Sequence, residues 1–172
     1  TIFQTLFPDE RDLGGMLIIQ APSKSPWNIL KLEAGLFAGN GIKQENDSRR
    51  DFIGHLSLAK DWKNLSLGAG VSYYNGSVFQ GTENVYTMTD NKFTLNTDAD
   101  NKGAFAKREY FGFDARFSLK SIIGKTQLRG EYLFGQQPGL IENSKSPNSA
   151  DLPTKDTYIR NFSGGYVMLV QD

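Results

Sequence analysis

Along much of this chain apolar residues recur at every second position, the period of a strand with two unlike faces. The cleanest run is Leu30-Lys31-Leu32-Glu33-Ala34-Gly35-Leu36: the leucines and Ala34 share one face, and Lys31, Glu33 and Gly35 share the other. The same alternation sets Leu65, Leu67, Ala69, Val71 and Tyr73 against Ser66, Gly68, Gly70 and Ser72. It sets Phe111, Phe113, Ala115, Phe117 and Leu119 against Gly112, Asp114, Arg116 and Ser118. Segments 52–59 and 126–135 follow it with Phe52, Leu56, Leu58 and Leu128, Tyr132, Phe134; segments 12–20 and 158–170 are β-rich with weaker alternation. The pattern predicts an all-β chain of seven strands, about 12–21, 29–38, 51–60, 65–75, 105–120, 125–135 and 157–171.

The connections alternate in length. Segments 22–28, 61–64 and 121–125 read as short polar turns, and 39–50, 75–104 and 136–156 as long polar loops. In an up-and-down antiparallel sheet, all short turns then lie at one end and all long loops at the other, the asymmetry of outer-membrane barrels. Strands of roughly 9–11 residues suffice to cross a bilayer when tilted. Trp27 and Trp62 flank short turns, while Tyr73, Tyr74, Tyr132 and Phe134 fall at the opposite strand ends, as two aromatic girdles would. The prediction is an up-and-down antiparallel transmembrane β-barrel, apolar face to lipid and Gly/Ser/charged face to a wet lumen. Seven strands is odd where bacterial barrels are even. The chain therefore reads as one portion, residues 1–172, of a larger barrel of about sixteen strands, with 1–12 as the tail of a preceding loop.

Composition narrows the alternatives. The 172 residues carry 19 Lys+Arg and 19 Asp+Glu, with no local basic run, so the electrostatic footprint of a nucleic-acid binder is missing. The absence of cysteine excludes disulfides, thiolate metal sites and a cysteine nucleophile. No apolar run reaches the roughly 18–20 residues of a spanning helix, and the first residues do not read as a signal peptide. A mean hydropathy of −0.44 leaves a barrel open, because its two faces average out.

Four short stretches also resemble a known family. Glu10-Arg11-Asp12-Leu13-Gly14, Leu36-Phe37-Ala38-Gly39-Asn40-Gly41, Asp51-Phe52-Ile53-Gly54-His55-Leu56 and Ile159-Arg160-Asn161-Phe162-Ser163-Gly164-Gly165-Tyr166 resemble, in order and spacing, the phosphate-selective porin O and P family and its Bacteroidetes relatives. The resemblance implies an outer-membrane porin, often trimeric, passing small hydrophilic solutes or ions by diffusion, with lipid as its surroundings. Strand parity assigns Lys31, Glu33, His55, Asp114, Arg116, Arg129 and Glu131 to the lumen, a lining of balanced sign that does not carry phosphate selectivity over. Arg160 groups by parity with Phe162, Tyr166 and Met168, on the lipid side.

Chemistry-bearing motifs are few. His55 is the single histidine, and Ser57, two residues along a strand, cannot meet it as nucleophile meets base. Asp98, Asp100, Gly103 and Glu109 match four positions of a calcium loop, but Lys102 occupies a ligand position and Glu109 falls within a strand. No enzyme, metal or cofactor is expected. Two rivals to the porin remain: a non-channel barrel acting through its loops in adhesion or structure, and a soluble β-sandwich binding module.

Overall fold

The structure, a computed structural model, describes residues 12–39, 49–141 and 155–172. The expected loop tail, most of the loops at 39–50 and 136–156, and the motif residues Glu10, Arg11, Asn40 and Gly41 lie outside the described residues. Among the described residues nine strands form one sheet: β1 (Gly14–Gln20), β2 (Leu30–Phe37), β3 (Asp51–Asp61), β4 (Leu65–Phe79), β5 (Val85–Thr89), β6 (Lys92–Asn96), β7 (Phe105–Ser121), β8 (Gly124–Gly139) and β9 (Thr157–Gln171). Short 3-10 helices occupy Pro26–Ile29, where Ser25 caps the first turn, and Ala99–Asn101, capped by Asp98.

The strand order is β1-β2-β3-β4-β7-β8-β9-β5-β6. Neighbours from β1 through β9 are antiparallel, as is β5 with β6, whereas β5 runs parallel to β9 over Thr157–Ile159. The segment expected as one long loop, 75–104, contains β5 and β6 as a hairpin. Asp90 and Asn91 turn it with φ of 51° and 60°, both left-handed, as a two-residue hairpin turn of right-handed twist requires. The turn between β7 and β8 is not polar: Ile122 stands fully in solvent at its tip and Ile123 is largely exposed.

The sheet is open, which corrects the expectation of a barrel. β1 and β6 are its two ends, and no pairing joins them among the described residues. The physical reason is visible at β9. Its first residues have β5 on the side that closure onto β1 would need, and β5 lies parallel, outside an up-and-down path. Alternation could not reveal this, since an open sheet and a closed barrel carry the same period of two. The up-and-down transmembrane barrel, the seven-of-sixteen-strand count and the lumen go with it. So do the porin function, diffusive transport of solutes or ions, lipid contact, the homotrimer and the outer-membrane location.

The two faces differ in a way that matters for function. One is apolar: Leu17, Leu36, Leu58, Val71, Phe113 and Val167 stand on it, all exposed. The other is mixed, and most of the buried side chains belong to it. Tyr74, Tyr110 and Leu133 form the core cluster, with Ile53 and Phe162 packed against them. Glycine makes this burial possible without a second layer. Gly135 lies between Tyr110 and Phe162 in register, and with no side chain there the two rings meet edge to face, centroids 5.1 Å apart. Tyr74 and Tyr110, also paired in register, stack at 4.9 Å.

Candidate functional site

The seven residues singled out by parity fall together on the mixed face, across β2, β3, β7 and β8. Lys31 Nζ donates to Glu33 Oε1 at 2.7 Å, and the other Glu33 oxygen lies 3.4 Å from His55 Nδ1. His55 Nε2 then lies 3.1 Å from Asp114 Oδ2. This contact spans β4, and Gly70 is what permits it: a Cβ there would sit 2.5 Å from the imidazole and collide with the Asp114 carboxylate. Gly68 does the same for Arg116, whose Nε would be 2.5 Å from an added Cβ.

Beyond Asp114 the signs are arranged in opposed rows. Asp114 faces Glu131 across the β7–β8 ladder, and Arg116 faces Arg129 two register positions further along, on the same face. Directly opposed like charges destabilise a sheet, and diagonal neighbours about 7–8 Å away can compensate. Arg129 donates to Gln127 at 2.9 Å. The Glu33 carboxyl is held below its ordinary range, first by the Lys31 hydrogen bond and with help from His55, against the opposing effect of burial.

Further along the same face is a second constellation that parity analysis missed. Arg108 Nη2 meets Asp51 Oδ2 at 2.6 Å, and both side chains are 5 % exposed. Tyr74 Oη donates to the same Asp51 oxygen, and Tyr110 Oη donates to Gln137 at 3.1 Å. Burial works against the Arg108 charge, but the neighbouring Tyr74 and Asp51 oxygens reverse the balance and raise its pKa. The Tyr74 hydroxyl is pushed well above its usual range, chiefly by burial, so it stays protonated and the carboxylate is the counter-ion that matters. The signal was available: Arg108 shares the parity of Tyr110, Gly112 and Asp114.

Arg160 is placed differently from its sequence assignment. It pairs with Gln137, and Tyr166 pairs with Glu131, so both lie on the mixed face rather than the apolar one. The reason is the run Tyr166-Val167-Met168-Leu169-Val170, which is apolar at consecutive positions and leaves the strand's parity to be set by pairing.

Chemically the mixed face is a solvent-wetted charge network. Both nitrogens of His55 are committed to Glu33 and Asp114, leaving neither for Ser57. The calcium-loop residues do not converge. Asp98 accepts from the Asp100 backbone as a helix cap, while Glu109 in β7 accepts from Tyr73 and Lys107. Among the described residues no group of three or more His, Asp or Glu side chains could hold a metal ion. The resemblance to phosphate-selective porins is likewise not upheld, given the open sheet. Neither a family model, a curated protein nor a solved structure matches the chain.

Proposed function

We propose that this chain is a non-catalytic protein-association module, whose apolar sheet face packs against the same face of a second copy. One observation carries the reading: charge and core share the mixed face, while the other face presents large apolar side chains to solvent from β1 to β9. Val167 is 77 % exposed and Phe113 51 %. Ile29, Leu58, Leu67, Phe117, Leu128 and Val167 border a groove of about 620 Å³ with almost no polar lining. Contiguous apolar patches of that extent on soluble chains mark interaction sites.

The dimensions support a sheet as partner. Seven strands about 4.8 Å apart, with apolar stretches of about seven to nine residues, give a face of roughly 650–850 Å². A stable interface of standard size covers about 800 Å² per partner. Two such faces stack about 10 Å apart as a sandwich. On the long strands this face carries three charges among the described residues: Lys60, which lies over the Trp62 ring beside the groove, and Lys107 with Glu109, which pair with each other at 2.8 Å.

Light scattering on the chain tests this. The expected result is a defined assembly that loses half its mass when Val71→Glu and Phe113→Glu are introduced together. The same mass in both proteins would overturn the reading.

A further inference from the structure

The face is not the only surface without a neighbour. β1 ends the sheet, and its outer side has no strand beside it among the described residues. The hydrogen-bonding direction of each residue follows from one contact: Ala38 N donates to Leu13 O at 2.8 Å, so Leu13 points its backbone toward β2. Alternation along an antiparallel strand then turns Gly14, Met16, Ile18 and Gln20 outward.

Exposed edges are normally protected by charge, proline, a bulge or brevity. β1, Gly-Gly-Met-Leu-Ile-Ile-Gln, has neither charge nor proline, and Met16, Leu17, Ile18 and Ile19 are each at least half exposed. The opposite end of the sheet differs: β6 is five residues long and begins with Lys92.

We infer that β1 pairs edge to edge with β1 of a second copy, antiparallel, about a two-fold axis through Leu17. In that register Met16 of each copy lies opposite Ile18 of the other, and their outward N–H and C=O groups exchange hydrogen bonds. Gly14 lies opposite Gln20 and Gly15 opposite Ile19. Leu17 meets its own symmetry mate as a non-hydrogen-bonded pair, where side chains approach most closely. No like charges oppose one another, so the edge is complementary to itself. The axis is perpendicular to the sheet, so the apolar faces of the two copies stay on one side and become continuous. A contact of β1 with β9 of another copy would instead be parallel, since six antiparallel steps separate them. Such a contact is head-to-tail, and it gives a ring where its rotation closes and an open filament where it does not.

The inference rests on the β1 edge and is separable from the face reading. Sedimentation velocity on four proteins distinguishes the two: the natural chain, Ile18→Pro, the Val71→Glu/Phe113→Glu pair, and all three changes together. Proline at Ile18 removes an outward donor and leaves the β1–β2 ladder intact. The expected masses are four chains, two, two and one. Ile18→Pro without a change in mass overturns the edge pairing and leaves the face reading standing. A mass that Ile18→Pro halves but the face pair does not change overturns the face reading alone. A monomeric natural chain overturns both, and open-ended growth with concentration overturns the two-fold edge. Met16→Lys, which keeps every backbone group, guards against local unfolding by proline and is expected to give the same halving.

Discussion

Asp51 and Arg108 meet as a buried ion pair from strands that are not neighbours, reaching over β4 at Gly76. Arg108 pairs in register with Gly76, and a Cβ on that glycine would enter the Asp51 carboxylate. The pair is thus built from three positions, two charged and one without a side chain. Removing one partner of a buried pair leaves an uncompensated charge, at a cost of about 3–5 kcal/mol. Arg108→Met and Asp51→Asn are therefore expected to be among the most damaging single changes, and Gly76→Ala to weaken the same contact by displacing Asp51. Urea unfolding followed by far-ultraviolet circular dichroism measures each. A loss below about 1 kcal/mol for Arg108→Met would show that the pair does not hold the mixed face together.

Two glycines on the mixed face should respond oppositely to the same change. An added Cβ at Gly70 runs into His55 and Asp114, whereas at Gly164 it meets nothing within 4 Å. Gly70→Ala is expected to break the 3.1 Å contact and destabilise the chain. Gly164→Ala is expected to stabilise by about 0.4–1 kcal/mol, because alanine narrows the unfolded ensemble. Thermal melts of the two variants decide it, and the nitrogen shifts of the His55 ring report whether the contact survives. Equal effects at both positions would refute the role given to Gly70.

Acid sensitivity follows from Glu33 and Glu109. Hydrogen bonding lowers both carboxyls in the folded chain, through Lys31 and then His55 for Glu33, and through Lys107 and Tyr73 for Glu109. A carboxyl lowered on folding contributes stability at pH values above its unfolded pKa. That contribution disappears as pH falls through the folded value. Melting temperature should fall as pH drops from about 5 toward 3, near and below the ordinary Glu pKa of about 4.3. Glu33→Gln should flatten this decline and leave the curve above pH 6 parallel to that of the natural chain. An unchanged acid slope in Glu33→Gln would remove Glu33 from the account. Both carboxyls are solvent-accessible, so added salt should reduce the effect.

The local period was legible in the sequence and the global closure was not. Leu30 through Leu36 declare a two-faced strand because each residue differs from its neighbours. The segment 166–170 does not, since both parities are apolar, and parity alone therefore puts Arg160 on the face opposite to the one its pairing with Gln137 gives it. The charged residues of the mixed face could be grouped from parity alone. Their contacts could not, because the approach of His55 to Asp114 depends on Gly70 in a strand between them, a relation of three strands at once. Closure is less local still. It turns on whether the segment after β4 stays a loop or supplies β5 to the side of β9, a parallel pairing between residues about seventy positions apart. Nothing in an alternating pattern encodes such a pairing.

The β5–β6 hairpin was readable, however, and offers the last prediction. Val85-Tyr86-Thr87-Met88-Thr89 and Lys92-Phe93-Thr94-Leu95-Asn96 are β-prone runs around Asp90-Asn91, and aspartate and asparagine are the non-glycine residues that best accept a left-handed backbone. Tyr86 stacks on Tyr158 at 4.4 Å, and Phe93 meets the same ring edge-on at 5.1 Å, so the hairpin is fastened to β9 by one aromatic cluster. Replacing Asn91 by valine forces a β-branched side chain into the left-handed region at a cost of roughly 1–2 kcal/mol. Asn91→Gly keeps the conformation and should be nearly neutral. Because, among the described residues, the hairpin's ladder pairing with the sheet is confined to Val85–Thr87 against Thr157–Ile159, the loss should be local. Amide hydrogen exchange is expected to accelerate in β5, β6 and the start of β9 for Asn91→Val, while β4 and β7 keep their protection. Faster exchange throughout the sheet would mean instead that the hairpin and the long strands unfold as one unit.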